Sequence, residues 1–442
     1  MTEDVPAPAL ADDTVTGSIP GRRILAWALW DWGSAAFNAV VTTFVFTVYL
    51  TGASFGDKAD VSASLGWALA IAGVVVAILA PITGQRSDVS GHRKFWLAVN
   101  TYAVVVVIGL MFFVQASSEF LILGLVLVAA GTVFFEFASV NYNAMLAQVS
   151  TPRTVGKVSG FGWGMGYIGG IALLLIVYFG LIKPEVGLFG VTDEDGLSVR
   201  VAMLIAAAWF GLFAIPALVA VPEYAAPTAA KRDRVGFFRS YAVLARDIRH
   251  LWRVNPHTVR FLVASAVFRD GLTGVFTFGG VLAAGTFGFS PGDVIVFAIA
   301  ANVVAGVATV ATGTLDDRLG AKPVIVGSLI GLVVCGTAVF VLHDGGQIVF
   351  WTFGLALTLF VGPSQSASRT FLARLIPAGR EGEVFGLYAT TGKAATFLAP
   401  AAFSIFVSIF HAQYWGILGI VLVLAVGLLL LLPVKGSQER LG

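Results

Sequence analysis

Apolar runs of about twenty residues recur along the whole chain, each closed off by a short polar or Gly/Pro-rich stretch. A run of that length matches a helix crossing about 30 Å of hydrocarbon. Twelve spans are expected, near 24–51, 63–84, 95–116, 119–143, 158–182 and 199–221, then 259–284, 292–314, 323–343, 347–370, 382–406 and 411–433. The longest interruption, 222–258, divides them six plus six. The expected organisation is therefore a disordered tail at 1–23, a bundle at 24–221, a central loop at 222–258, a second bundle at 259–433 and a tail at 434–442. Within the central loop, Phe237, Tyr241, Leu244, Ile248 and Leu251 recur at helical spacing, while Arg239, Arg246, Asp247, Arg249 and Arg253 fall largely on other faces. That pattern describes an amphipathic helix lying on the inner leaflet, where anionic lipids attract arginine.

Composition agrees with the pattern. The 442 residues are 57% hydrophobic and 12% charged, with a mean hydropathy of +0.89; a soluble globular chain carries about 25% charged residues. An all-α, polytopic membrane protein is the expected class. The net charge of +2 says little, but its distribution sets the topology. With the N-terminus in the cytoplasm, inside segments hold 22 of the 27 Lys and Arg residues, and outside segments hold only Lys58, Lys183 and Arg200. The positive-inside rule then puts both termini in the cytoplasm, in a plasma-membrane protein. No basic region leads into a short apolar core near the start, so no cleavable signal peptide is expected. The one cysteine, Cys335, excludes an intramolecular disulfide and a cysteine-based metal cluster.

The sequence repeats across the central loop. "GQRSDVSGHRK" follows the second span and "GTLDDRLGAKP" the eighth, with Gly84, Asp88, Gly91 and Arg93 matching Gly313, Asp317, Gly320 and Lys322. After the fourth and tenth spans, Leu146, Ala147, Val158 and Gly160 match Leu372, Ala373, Val384 and Gly386 at an offset of 226. Asp31 with Phe37 is echoed by Asp270 with Phe276. Three echoes in order indicate two homologous six-helix halves. In the loop motif, glycine permits close helix approach, the Asp can face the positive end of a neighbouring helix, and the basic residue can pair with it or with lipid headgroups. Such a latch can close one side of the membrane and open again; an ordinary basic turn is the plainer alternative.

The spacing G-x-x-x-D-x-x-G-x-[RK] resembles the signature loop of the major facilitator superfamily. The second copy is the better match, with Leu315 and Arg318 where the family favours Leu and Arg; the first has Arg86 and Val89 at the corresponding departures. "WDWGSAAFN" and "VGKVSGFGWGMGYIGG" resemble the branch of vacuolar amino-acid effluxers and their bacterial relatives. The resemblance implies a two-bundle transporter that rocks around a central site, with the first, fourth, seventh and tenth helices lining the cavity.

Five ionisable residues fall inside spans: Asp31, Glu136, Arg269, Asp270 and Lys393. Counting from the nearest span ends puts them in one layer, Asp31 about 12 Å past Arg23 at 1.5 Å per residue. Each acid has polar company at helical spacing: Asp31 with Ser34 and Asn38, Glu136 with Ser139 and Asn143, Asp270 with Thr273 and Thr277. Such stripes are costly against lipid and are expected to face the interior or a water-filled cavity. Two readings are open: Asp31 and Glu136 titrate or contact substrate while Arg269 and Lys393 balance charge or bind a carboxylate, or the set is a buried ion-pair network that fixes packing.

Other signals carry less. "GMGYIG" fits G-x-G-x-x-G but lies in a membrane span with no preceding strand, so no dinucleotide site is expected. Gly160, Gly162, Gly164, Gly166 and Gly170 are expected to form a close-packing face. His92, His250, His257, His343 and His411 lie in loops or span ends without metal spacing, and no hydrolase motif is present. The reading is a non-enzymatic secondary transporter of a small polar solute, an amino acid or similar metabolite, driven by protons. It is expected to be monomeric and lipid-embedded, with no cofactor, metal or nucleic-acid partner. A carboxylate in a low-dielectric layer can carry a proton. A sodium-coupled sugar-type symporter and a non-transporting sensor or scaffold are the alternatives.

Overall fold

In hydrocarbon every backbone N–H and C=O must find its partner within the protein, and a helix meets that demand inside one segment. The computed structural model describes residues 19–90, 93–150, 155–222, 246, 248–375 and 381–435, with backbone alone at 80–90, 147, 155–157, 159, 309–318, 373–374 and 381–386. Each long apolar run is helical. Helix α1 runs through Gly21–Ala35, a π-helical stretch Ala36–Phe44 and Phe46–Leu50. It is followed by α2 (Lys58–Ser90), α3 (Arg93–Leu110), α4 (Leu121–Ala144), α5 (Val155–Val177, continued by a π turn Tyr178–Ile182) and α6 (Leu197–Ala220). The second half contains α7 (Pro256–Gly285), α8 (Pro291–Leu319), α9 (Ala321–Val341) and α10 (Leu355–Leu375). Helix α11 comes in two pieces, Glu381–Ala394 and Leu398–Phe410, and α12 is Trp415–Leu431.

Eleven of these segments are long and apolar enough to cross a membrane, and α12 is a shorter apolar helix of 17 residues. At 1.5 Å per residue α12 is about 26 Å long, just under the hydrocarbon thickness. It begins later than its apolar run because His411, at φ 52°, ends α11 and a turn follows. Helices α2 and α8 run past their expected ends to Ser90 and Leu319. The loop motif thus starts as helix, not as loop. The side chains of Gly84, Asp88, Gly313, Asp317 and Arg318, and all of Gly91, lie outside the described residues, as do Phe237, Arg239, Tyr241, Leu244 and Asp247. Gly320 makes the turn into α9 at φ 87°, which favours glycine. Of the central loop, residues 246 and 248–254 are helical; Leu251 is buried, Ile248 packs on the core, and Arg249, Trp252 and Arg253 are exposed.

Two six-helix bundles result. In the first, α1 packs on α5 and α6, and α3 on α4 and α6; in the second, α7 packs on α12 and α11, and α10 on α8 and α9. They join chiefly where α2 meets the second piece of α11. The hydrogen bonds of that join lie towards the end of the molecule distant from the termini. Gln413 Nε2 donates to Ser62 Oγ (2.7 Å) and Ser404 Oγ to the Ala63 carbonyl (3.0 Å), while Thr286 Oγ1 holds Gln413 from within the second bundle by donating to its Oε1 (2.9 Å). Glycine permits the approach: a Cβ on Gly73 would stand 2.9 Å from the Phe397 amide nitrogen.

Candidate functional site

The five span-embedded charges separate into four arrangements. Asp31, on α1, turns into its own bundle. The Tyr142 hydroxyl of α4 donates to Asp31 Oδ2 at 2.8 Å. The Tyr142 ring is clamped between Trp27 (4.5 Å between centroids) and Trp30 (4.2 Å), both stacked. Trp27 Nε1 donates to the Tyr142 carbonyl (3.3 Å) and Trp30 Nε1 to Thr101 Oγ1 (3.0 Å), so both indoles are satisfied. A charge-assisted bond such as Tyr142–Asp31 contributes about 1.5–3 kcal/mol. Asp31 is thus held by a phenol, and not by Arg269 or Lys393. Ser34, which shares its face, is buried and donates to the Asp31 carbonyl (2.9 Å), whereas Asn38 is exposed. Helix α5 comes close because Gly162, Gly166 and Gly170 face α1; Gly160 and Gly164, expected on the same face, meet open space.

Asp270, the counterpart on α7, is buried at 4% exposure. Its carboxylate accepts from the backbone N–H of Ala399, in the first turn of the second piece of α11. The first turn of a helix has free N–H groups and a positive dipole end, both suited to a carboxylate. Asp270 therefore caps a broken helix across a helix–helix contact. Thr273, in its expected stripe, is exposed and donates to the Arg269 carbonyl (3.1 Å).

Glu136 on α4 and Lys393 on α11 form an ion pair, with side chains 19% and 25% exposed. It crosses from one bundle to the other. Asn143, one turn and more further along α4, is exposed and donates to Ser139.

Arg269 lies over the Tyr388 ring of α11 (4.1 Å) and donates to the Tyr388 carbonyl (3.3 Å). A second arginine joins it. Arg369 of α10 lies over the Trp163 ring of α5 at 5.1 Å, bridging the bundles again, and is within electrostatic reach of Arg269, Tyr388 and Tyr167. Residue counting had assigned Arg369 to the cytoplasmic end of the tenth span, and missed Tyr142, Trp163 and Tyr388 as well. The repeat contained a signal for the arginine: the offset of 226 that pairs Leu146 with Leu372 also pairs Asn143 with Arg369. Among the described residues no group of three or more His, Cys, Asp or Glu could hold a metal ion.

Two six-helix bundles joined through α2 and α11, with charges inside their spans, define a class. The D-xylose-proton symporter superposes with a TM-score of 0.65 at 18% identity, over 94% of this chain and 97% of that one. The xylose transporter XylE from E. coli, in a partially occluded inward open conformation, gives 0.65 at 13% identity, over 95% and 98%. The nucleoside transporter NupG gives 0.63 at 13%, over 94% and 99%. The fold is that of the major facilitator transporters, and the Major Facilitator Superfamily model matches residues 3–174. More narrowly, the chain belongs to the vacuole effluxer Atg22-like family, whose model matches residues 147–441. A relative in Bacillus subtilis (strain 168), the uncharacterized MFS-type transporter YxiO, is 26% identical over 410 residues, 92% of this chain and 93% of its own. Autophagy-related protein 22 of Cryptococcus neoformans var. neoformans serotype D (strain JEC21) is 27% identical over 271 residues, 56% of this chain and 45% of its own. The chain spans about half the length of the fungal relatives it matches.

Proposed function

We propose that this membrane transporter moves a small polar solute by alternating access, and that Glu136 couples the movement to protons. The observation that carries the reading is the Glu136–Lys393 ion pair, which ties the two bundles together inside their spans. Removing one partner of a buried pair leaves the other charge uncompensated, at a cost of about 3–5 kcal/mol. Protonation of Glu136 removes its charge in the same way, so proton uptake weakens the tie and lets the bundles rock. Asp31 and Asp270 are poorer carriers, since each is engaged inside its own bundle.

The join distant from the termini is closed by the Ser62–Gln413–Thr286 bonds, while Asn38, Asn143 and Thr273 are exposed on helices that face the seam between the bundles. With both termini in the cytoplasm, as the Lys/Arg bias favours, this is an inward-facing state of a monomer in the plasma membrane. Asn38, Asn143 and Arg269 then line the solute path. The family description, an effluxer, and the resemblance to amino-acid effluxers favour export of an amino acid or similar metabolite.

The test is flux in proteoliposomes under an imposed pH gradient. Concentrative transport is expected to follow the gradient, and Glu136→Gln is expected to abolish it while leaving solute exchange at equal concentrations intact. Flux indifferent to pH but dependent on sodium would overturn proton coupling.

A further inference from the structure

Glu136 neutralises Lys393 across the seam, and Asp270 and Asp31 point into their own bundles. That leaves Arg269 and Arg369. Among the described residues neither guanidinium is paired with a carboxylate; each lies on an aromatic face instead, Tyr388 at 4.1 Å and Trp163 at 5.1 Å. Both are half-buried and so reachable, yet neither is free in bulk water. Among the described residues, the groups named at the seam are three cations (Arg269, Arg369, Lys393) against one anion (Glu136), an excess of two positive charges.

Two like charges half-buried between helices are costly unless something offsets them. The stacking does so only in part, since an aromatic face carries no net charge and leaves the guanidinium N–H donors without an anionic acceptor. The guanidinium fork matches the two oxygens of a carboxylate or phosphate. Arg269 comes from α7 and Arg369 from α10, while Trp163 and Tyr167 come from α5 of the other bundle. A ligand between them would touch both bundles, with its anionic head on the arginines and an apolar body against the α5 aromatics. Tyr388, whose hydroxyl is hydrogen-bonded to Ser368, fixes one wall.

We propose that Arg269 and Arg369 form an oxyanion-binding subsite, so that the transported solute is an organic anion with a carboxylate or phosphate head and an apolar or aromatic body. The proposal rests on the transporter reading and deepens it. An anion that neutralises the arginines also removes the repulsion between them, and so favours the state in which α7, α10 and α5 close around it.

Binding is measured on the full chain in phosphatidylcholine nanodiscs, with benzoate and phenyl phosphate as probes and benzyl alcohol, benzylamine and phenylalanine as neutral, cationic and zwitterionic controls. The anions are expected to bind saturably, at least tenfold more tightly than benzyl alcohol and benzylamine, with phenylalanine between. Arg369→Gln and Arg269→Gln should each weaken the anions at least tenfold and leave benzyl alcohol unchanged. Arg369→Lys should restore part of the loss, which a collapsed fold could not do. Equal binding of benzoate and benzylamine, or undiminished benzoate binding in both Gln variants, would overturn the proposal. Benzoate binding lost only when phosphatidylglycerol is added would reassign the site to a lipid headgroup and overturn the soluble ligand. Because binding is read without a gradient, anion binding without flux in proteoliposomes leaves the subsite standing and fails the transporter reading. Flux of a neutral or cationic solute without anion binding does the reverse.

Discussion

Between Trp30 and Trp32, Asp31 meets a phenol and two glycines. The two flanking indoles part company: Trp30 stacks on Tyr142, while Trp32 stacks on Trp209. What makes room for the carboxylate is the missing side chain at Gly162, where a Cβ would stand 2.8 Å from Asp31 Oδ2 and 2.7 Å from the Trp27 ring. A methyl there requires the Asp31 carboxylate, the Trp27 ring or α5 to shift. Gly162→Ala is expected to cost about 1–3 kcal/mol, the usual range for overpacking, seen as a lower unfolding temperature of the purified protein. Gly164→Ala, two residues on with nothing within 4 Å, is the matched control and should leave that temperature unchanged or slightly raised. Equal behaviour of the two would mean that α5 does not pack as described. The sequence showed a glycine-dense helix, but glycines at every second position do not reveal which of them meets a neighbour; the rotation of α5 against α1 decides that.

Helix α11 reads in sequence as one span, and the structure divides it at 395–397. Pro400 was the available hint, because proline is tolerated in the first turn of a helix and not in its interior. The cap comes from α7, 129 residues away, and no local pattern announces it. The same distance problem hid the partners of every charge: spacing along one helix reports which residues share a face, not what faces them. Asp270→Ala removes the acceptor of the buried Ala399 N–H and is expected to cost about 1–3 kcal/mol. Asp270→Asn retains one acceptor oxygen, so it should recover part of the thermal stability and keep the pH dependence of flux. If Asp270→Asn kept full stability and lost proton coupling, Asp270 and not Glu136 would be the coupling acid.

At the scale of the whole molecule, the number and placement of the helices were legible because each follows from a local run of apolar residues. The seam was not, because it joins residues such as Ser62 and Gln413 that lie 351 positions apart. The closed end makes a mechanical prediction. In a Cys335→Ser background, Ser62→Cys and Gln413→Cys are bridged by a short, reducible bis-methanethiosulfonate. Flux is expected to stop on bridging and return on reduction, while a Cys at Asn143 stays open to a polar maleimide throughout. Undiminished flux in the bridged protein would show that the far end need not part.

The Glu136–Lys393 pair spans 257 residues of chain, and this has a consequence for biogenesis. Synthesis proceeds at about 5–20 residues per second, so roughly ten to fifty seconds separate the emergence of the acid from that of its cation. During that interval the fourth helix is inserted with a carboxyl group that has no counter-charge, against a penalty of about 2.5–3.5 kcal/mol at the bilayer centre. The first half of the chain therefore reaches the membrane with a debt that only the second half settles. Separately expressed halves should consequently be retained and degraded alone, and persist when produced together.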